Sequence, residues 1–414
     1  MPNVFVEGYG CSLNKSDTTQ IKGFLKARGF SFTPLEKANF AIINTCAVKQ
    51  PTEFKMLKRI RELFALSKEF GFKLIVFGCL PEINPKEIER ISPEIVQLGP
   101  RLEQLAEFFS LQQASFGPSA PELSGSNVVS ILPICRGCLG ACTFCAVKRA
   151  RGSLKSYSIE SLEKKFKKLI KKSKEVWLTA QDTGCYGKDI GTSLAKLLKT
   201  LLKNKRDFRV RIGMMNPNHL REMLPELIEL LHDTRLYLFL HVPLQSGSGR
   251  ILRLMNRKYS VKEFVSCIKR LRKAFPNLTL STDIIVGFPS ETQQDFKKTL
   301  SVLKRLEFDV VNISRYGKRP FTTAPKMPKQ VFEWEKKKRS RIASALCKQI
   351  SQKRNNRMAG RTEKILLNER GKNKTLVGRT RNYKPVVLKR GKLGEFLKAK
   401  ITEAKPTYLF GERA

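Results

Sequence analysis

Three cysteines stand in the run Gly137-Cys138-Leu139-Gly140-Ala141-Cys142-Thr143-Phe144-Cys145. The spacing CxxxCxxC brings three thiolates onto one short loop, which leaves the fourth metal of a cube-like cluster without a protein ligand. A zinc site is normally closed by a fourth Cys or His, and no local residue supplies one cleanly. Cys135 is close in sequence but points along the preceding apolar run, and reads as a spare. Three further cysteines, Cys11 in GYGCSLNKSD, Cys46 in INTCAV and Cys79 in VFGCLPE, each follow an apolar run by a few residues. The chain has ten cysteines against three histidines, so soft, all-thiolate ligation of zinc or iron–sulfur is favoured over mixed sites.

The elements that must position these thiols can be read from apolar patterning. Val4–Glu7, Phe40–Ile43 and Leu74–Phe77 are short apolar runs, separated by helical stretches near Thr18–Ala27 and around Glu53–Phe70. Strands hydrophobic on both faces and alternating with helices predict an α/β fold, here a doubly wound parallel sheet over residues 1–112. Ligands of such sheets sit outside the carboxyl ends of the strands. A single cysteine there reads as a small buried hydrophobe; three in the same structural position are expected to converge as ligands.

Gln112–Asn127 is rich in Ser, Gly and Pro, which predicts a linker over 113–127. Alternation resumes at Val128–Ile134, Val176–Thr179, Val210–Gly213, Leu236–Val242, Leu278–Val286 and Val310–Ile313. Six β/α units are too few for a closed eight-unit barrel, so 128–357 is expected to form a central partial (β/α)6 barrel. A long polar helix over Val331–Asn356 leads away from it. Residues 358–414 read as a small all-β barrel of short strands, with tight loops at Arg370-Gly371 and Arg390-Gly391.

Charge narrows the partner. Lys plus Arg total 79 against 36 Asp plus Glu, a formal net charge of +43, so nucleic acid leads and an anionic membrane surface trails. Residues 358–414 carry fifteen Lys/Arg against five Asp/Glu, with Tyr383 and Tyr408 among them. That mixture suits phosphate contacts, expected from Arg379 and Arg381, together with base stacking. No apolar run approaches the roughly 18 residues that span a bilayer, and MPNVFVEGYG lacks a signal-peptide pattern. A cytoplasmic location without a membrane partner is expected.

Taken together, these motifs resemble the methylthiotransferase family of radical S-adenosylmethionine (radical-SAM) enzymes along the whole chain. GCSLNKSD, NTCAVK and FGCLPE are similar to the N-terminal cysteine motifs of that family. GCLGACTFC followed by Arg149 and Arg151-Gly152 resembles its radical-SAM segment. Ala180–Thr192, His241–Ser248, Leu254–Tyr259 and Thr282–Thr292 resemble its barrel motifs, and Gly378–Val387 its RNA-binding TRAM signature. The wording is most similar to the archaeal and eukaryotic branch that acts on N6-threonylcarbamoyladenosine in tRNA. Arg319-Pro320-Phe321-Thr322 departs from the resembled family, where a Gly commonly follows the Pro.

The resemblance implies two [4Fe–4S] clusters, one on Cys138, Cys142 and Cys145 and one on Cys11, Cys46 and Cys79. The first would bind S-adenosylmethionine (SAM) and yield a radical that abstracts hydrogen from adenine C2; the second would deliver the sulfur. Phe144 is placed either to pack near the adenine of SAM or to anchor its loop. Gln181, Asp182, Gln245, Ser246 and Asp283 lie at or near strand ends on the same face and can hydrogen-bond SAM or substrate, although Asp182 and Asp283 could equally be helix caps. His241 reads as a hydrogen-bonded core histidine, Cys185 as structural, and Cys267 and Cys347 as packing residues. The implied protein is a monomeric tRNA-modifying enzyme that makes the 2-methylthio derivative next to the anticodon. It would need an electron donor and a sulfur source. Alternatives are an enzyme for isopentenyladenosine in tRNA, one for an Asp of a ribosomal protein, or a non-catalytic RNA-binding iron–sulfur sensor.

Overall fold

The computed structural model describes residues 2–112 and 128–414; the linker expected at 113–127 lies outside the described residues. In the first domain β1 (Asn3–Gly8), β2 (Ser31–Phe32), β3 (Phe40–Thr45), β4 (Lys73–Gly78) and β5 (Val96–Leu98) form a parallel sheet in the order β2-β1-β3-β4-β5. Alternate residues of the inner strands serve two separate cores: Ile43 and Val76 face one, and Ile42, Ile75 and Phe77 the other. Both faces are therefore covered, as a doubly wound sheet requires. The edge strands β2 and β5 escaped the sequence reading because runs of two and three residues carry no readable period. The first helix, α1, spans Ser12–Lys26 and starts earlier than its apolar stripe. Its first turns bury Asn14, Ser16 and Asp17, polar residues that patterning assigns to solvent.

The central domain is an open barrel of six parallel strands. Val129–Pro133, Glu175–Thr179 and Arg209–Ile212 form one half, and Phe239–His241, Thr279–Val286 and Val310–Arg315 the other. A parallel bridge between Val210 and Leu236 joins the halves. Capping boxes at Ser260/Glu263 and Thr292/Asp295 start two of the covering helices at defined points. The long helix Glu333–Asn356 packs against the outermost strand. No helix among the described residues is long and apolar enough to cross a membrane.

The C-terminal strands close into a five-stranded barrel, and its signature segment is a dock rather than a free surface. Tyr383, expected to stack on bases, is wedged against Tyr237 and Phe239 of the central domain, with ring centroids at 4.7 and 5.0 Å. Arg381, expected on phosphate, donates instead to the carbonyls of Leu231 and His232 at 2.9 and 3.2 Å. Arg379 lies over the Tyr383 ring, 4.9 Å from its centroid. The aromatic faces pack against the barrel and the Arg381 fork reaches two of its carbonyls, so this segment is held in place and turned away from solvent. Tyr408 packs edge-on to Phe410 within the small barrel.

Beneath this dock lies a buried carboxylate. Asp309 accepts from Lys384 Nζ and Arg354 Nε, both at 2.6 Å, and from the Leu280 amide at 2.9 Å. One acid thus ties the small barrel, the long helix and the strand at residue 280 together.

Candidate active site

Strand Val129–Pro133 delivers the three-cysteine loop at the carboxyl end of the barrel. The turn Leu254–Arg257 then clamps it: Thr143 Oγ1 donates to Leu254 O at 2.9 Å, and Asn256 Nδ2 to Ala141 O at 2.8 Å. Two donors point at sulfur. Gly140 N lies 3.2 Å from Cys138 Sγ, and Arg257 Nη1 lies 3.1 Å from Cys142 Sγ. Burial pushes the Cys138 thiol up to about 12 and the Cys145 thiol to about 11. Such thiols ligate only when a cation displaces the proton, so metal binding there releases protons.

The second triad is assembled by the first sheet. Cys11 caps α1 after β1, Cys46 follows β3, and Cys79 follows β4. The strand order reverses between β1 and β3, the topological switch point where open sheets bind ligands. Cys11 and Cys46 share a hydrogen bond that favours the thiolate on Cys11 and the neutral thiol on Cys46. Gly10, at φ +110°, lets the loop pass over Cys46, since a Cβ there would collide with the Cys46 side chain. Burial raises the Cys79 thiol, and the Arg151 guanidinium opposes it from 3.2 Å.

Arg151 belongs to the central domain, on the short helix Val147–Arg151 that begins two residues after Cys145. It pairs with the fully buried Asp17 and donates to Asn14 Oδ1 at 2.7 Å, while Arg136 takes the other oxygen of Asp17. Asn14 in turn donates to the carbonyls of Tyr9 and Thr45, at 2.6 and 3.1 Å. One short helix therefore links the two triads. Among the described residues no three Cys, His, Asp or Glu side chains converge as ligands of a single ion. A single ion gathers its ligands about 2.0–2.3 Å from one point, whereas a cube-like cluster holds its thiolates apart at its corners. Thiolates alone, with N–H donors aimed at sulfur, fit an iron–sulfur cluster in both places.

The remaining candidates separate into two groups. Gln181 and Gln245 each bury a side-chain carbonyl that has no protein partner, and Gln245 sits at φ +65°. Such acceptors fit a ligand with N–H or O–H groups, as SAM has. Asp283 is aimed by His241 Nε2 and Asn312 Nδ2, both at 2.9 Å. Burial would raise its carboxyl, but these hydrogen bonds outweigh it and hold it below the usual value.

Asp182 and Ser246 bond to the scaffold, Asp182 through one of its two oxygens. Asp182 Oδ1 caps Gly184 N and Asn216 N, both at 3.0 Å. Ser246 is fully buried, accepts from Ser248 N at 3.2 Å and meets Thr299 Oγ1 at 3.4 Å. Phe144 packs edge-on to Phe288 with centroids 6.4 Å apart, the anchoring use. Cys185 donates to Asp182 O at 3.1 Å and shares a hydrogen bond with Cys135, so both are buried structural thiols. Asn14, Asp17, Arg136, Arg151 and Arg257 were missed as site residues. The signal was present for four of them, since Asn14 and Asp17 lie in GCSLNKSD, Arg151 in RARG and Arg257 in the LMNRKY turn.

Comparison with known proteins agrees with this geometry. Residues 132–303 match the Radical SAM superfamily, 3–99 the Uncharacterized protein family UPF0004 and 356–413 the TRAM domain. The Probable threonylcarbamoyladenosine tRNA methylthiotransferase of Pyrococcus horikoshii is 43% identical, over 100% of this chain and 99% of its own length. That of Methanocaldococcus jannaschii is 41% identical over 99% and 96%. The Threonylcarbamoyladenosine tRNA methylthiotransferase of Xenopus laevis is 32% identical over 99% and 76%. Among solved structures, the cobalamin-dependent S-adenosylmethionine radical enzyme OxsB superposes with a TM-score of 0.53 at 12% identity. That match covers 85% of this chain and 56% of OxsB, and it is a likeness of fold.

Proposed function

The chain belongs to the threonylcarbamoyladenosine tRNA methylthiotransferases, a radical-SAM family, and we propose that its geometry serves methylthiolation at C2 of N6-threonylcarbamoyladenosine beside the anticodon of tRNA. One observation carries the reading: the helix that leaves the Cys138–Cys145 loop ends with Arg151 against Cys79. A radical generated at one triad and a sulfur held at the other must meet on the same carbon. Adjacent triads meet that need without a diffusing intermediate.

When bound, SAM on a [4Fe–4S] cluster supplies the radical chemistry, and a second cluster supplies the sulfur. We assign the first cluster to Cys138, Cys142 and Cys145, and the second to Cys11, Cys46 and Cys79. Gly140 N–H and Arg257 stabilise negative charge on the first set of sulfurs, and Arg151 on the second. Gln181 and Gln245 take donors of SAM through their unpartnered carbonyls. Asp283, fixed by His241 and Asn312, accepts from SAM or from the substrate base. Phe144, Asp182 and Ser246 hold the loops that carry these groups.

The tRNA is held by phosphate contacts along exposed cations of the TRAM barrel, among them Lys372, Lys374, Lys389, Arg390 and Lys392. The names of relatives spanning the chain support the threonylcarbamoyl substrate over isopentenyladenosine or a ribosomal Asp. We take the enzyme to act as a cytoplasmic monomer, with an electron donor and a sulfur source as partners. Nucleoside mass spectrometry of tRNA from a host with and without the gene tests the reading. The 2-methylthio product should appear only with the gene, and its absence from both would refute the assignment.

A further inference from the structure

Phe321 adopts φ +60°, in the left-handed region that glycine enters freely and a bulky side chain does not. The turn is pinned on both sides. Thr322 Oγ1 donates to Arg319 O at 2.8 Å, Arg319 pairs with the buried Glu53, and Ala324 N donates to Thr143 O at 2.9 Å. The strained residue is not buried in return and stays 64% exposed. One face lies under the Arg149 guanidinium, 3.7 Å from the ring centroid, and Arg149 Nε is itself held by Glu82 O at 3.0 Å. Backbone strain without burial in return marks a side chain held for its open face.

Its place in the fold says what that face meets. Thr143 lies between Cys142 and Cys145, and Glu82 lies three residues after Cys79, so the ring stands on the rim shared by both triads. Lys148 and Lys318, both exposed, flank Arg149 and the turn in sequence. A flat apolar face backed by a guanidinium and bordered by cations matches an unpaired base and its phosphates, because loop bases stack on aromatic rings and arginine planes. An apolar protein partner would find this charge unfavourable to desolvate.

We infer that Phe321, backed by Arg149, is a stacking platform for an unpaired nucleobase flanking the modified adenosine in the anticodon loop. The inference rests on the tRNA reading above and adds to it the group that grips the loop at the site.

The test uses full-length protein with its clusters reconstituted and a synthetic anticodon stem-loop carrying N6-threonylcarbamoyladenosine, with binding followed by fluorescence anisotropy. Phe321→Gly suits the backbone, so iron content and thermal midpoint should be retained. Its affinity should fall about tenfold with an unchanged salt slope, and Phe321→Tyr should restore it. A scan of stem-loops with single abasic sites then locates the stacked base. One abasic site should weaken the unsubstituted enzyme about tenfold and leave Phe321→Gly unaffected. Wild-type affinity in Phe321→Gly, or a loss equal at every abasic position, would overturn the inference, the latter making the ring only a support for Arg149. Failure of the unsubstituted enzyme to bind the stem-loop would instead sink the tRNA reading, and the platform with it.

Discussion

Arg151 Nε lies 3.2 Å from Cys79 Sγ, although 72 residues and a domain boundary separate them. The same guanidinium pairs with Asp17 and reaches Asn14, so it bridges two separate segments of the first domain. Arg136 meets Asp17 from the same side. The first domain is thus held to the barrel by charge at the place where sulfur chemistry is proposed. An arginine fork suits this, because its rigid planar donors serve a carboxylate, an amide oxygen and a sulfur at once.

Arg151→Gln should therefore be costly. Asp17 is fully buried and would keep only one of its two cations, a change worth about 3 kcal/mol. Calorimetry should show a lowered melting temperature, and reconstituted protein should lose iron from the Cys11, Cys46 and Cys79 site first. An unchanged melting temperature with full iron content would show that Arg151 is not what joins the domains.

The two triads should be separable. The unsubstituted protein should take up about eight irons, as two four-iron clusters. Replacing Cys138, Cys142 and Cys145 by Ala should halve the iron and abolish formation of 5′-deoxyadenosine. Replacing Cys11, Cys46 and Cys79 should also halve the iron, but leave SAM cleavage in place while the methylthio product disappears. Deoxyadenosine from the first triple variant would reverse the assignment.

Asp309 should make barrel docking sensitive to acid. Burial alone would raise its carboxyl, but Lys384 and Arg354 outweigh burial and hold it below its ordinary 3.8. A group whose folded pKa is depressed contributes its stability above the unfolded value and loses it as pH falls through the folded one. Hydrogen exchange across 358–414, corrected for its intrinsic pH dependence, should therefore be insensitive to pH from about 5 to 8 and rise only below about 4. Asp309→Asn should remove that acid transition and cost about 3–5 kcal/mol, since two buried cations then face a neutral amide.

Charge reversal should distinguish the RNA-facing cations from the docking ones. Replacing exposed Lys389, Arg390 and Lys392 by Glu should weaken different tRNAs by similar factors. The log–log salt slope should flatten by about 0.7–0.9 for each phosphate that is no longer neutralised. Arg381→Glu should act differently, lowering thermal stability because the carbonyls of Leu231 and His232 then have no guanidinium to accept from. Equal effects of both changes on the salt slope, with no change in stability, would place Arg381 on the RNA after all.

Residue types and spacing alone carry much of this protein. The six candidate cluster cysteines, the alternating apolar runs and the excess of basic charge are local or compositional properties, and each has a direct physical meaning in one dimension. Side-chain partners are not local. Tyr383 and Arg381 look like RNA contacts in a basic segment, yet the fold spends them on Tyr237 and on two carbonyls, because the small barrel had to dock somewhere. Asp182 looks like a ligand at a strand end and becomes a cap, because two backbone amides arrive beside it. Arg151 is only a basic residue in a basic chain until the domains pack and bring Cys79 and Asp17 to it. The identity of the chemistry was written in residue types and spacing. The environment of each group was decided by packing, since burial and hydrogen bonding depend on neighbours that only the tertiary structure supplies.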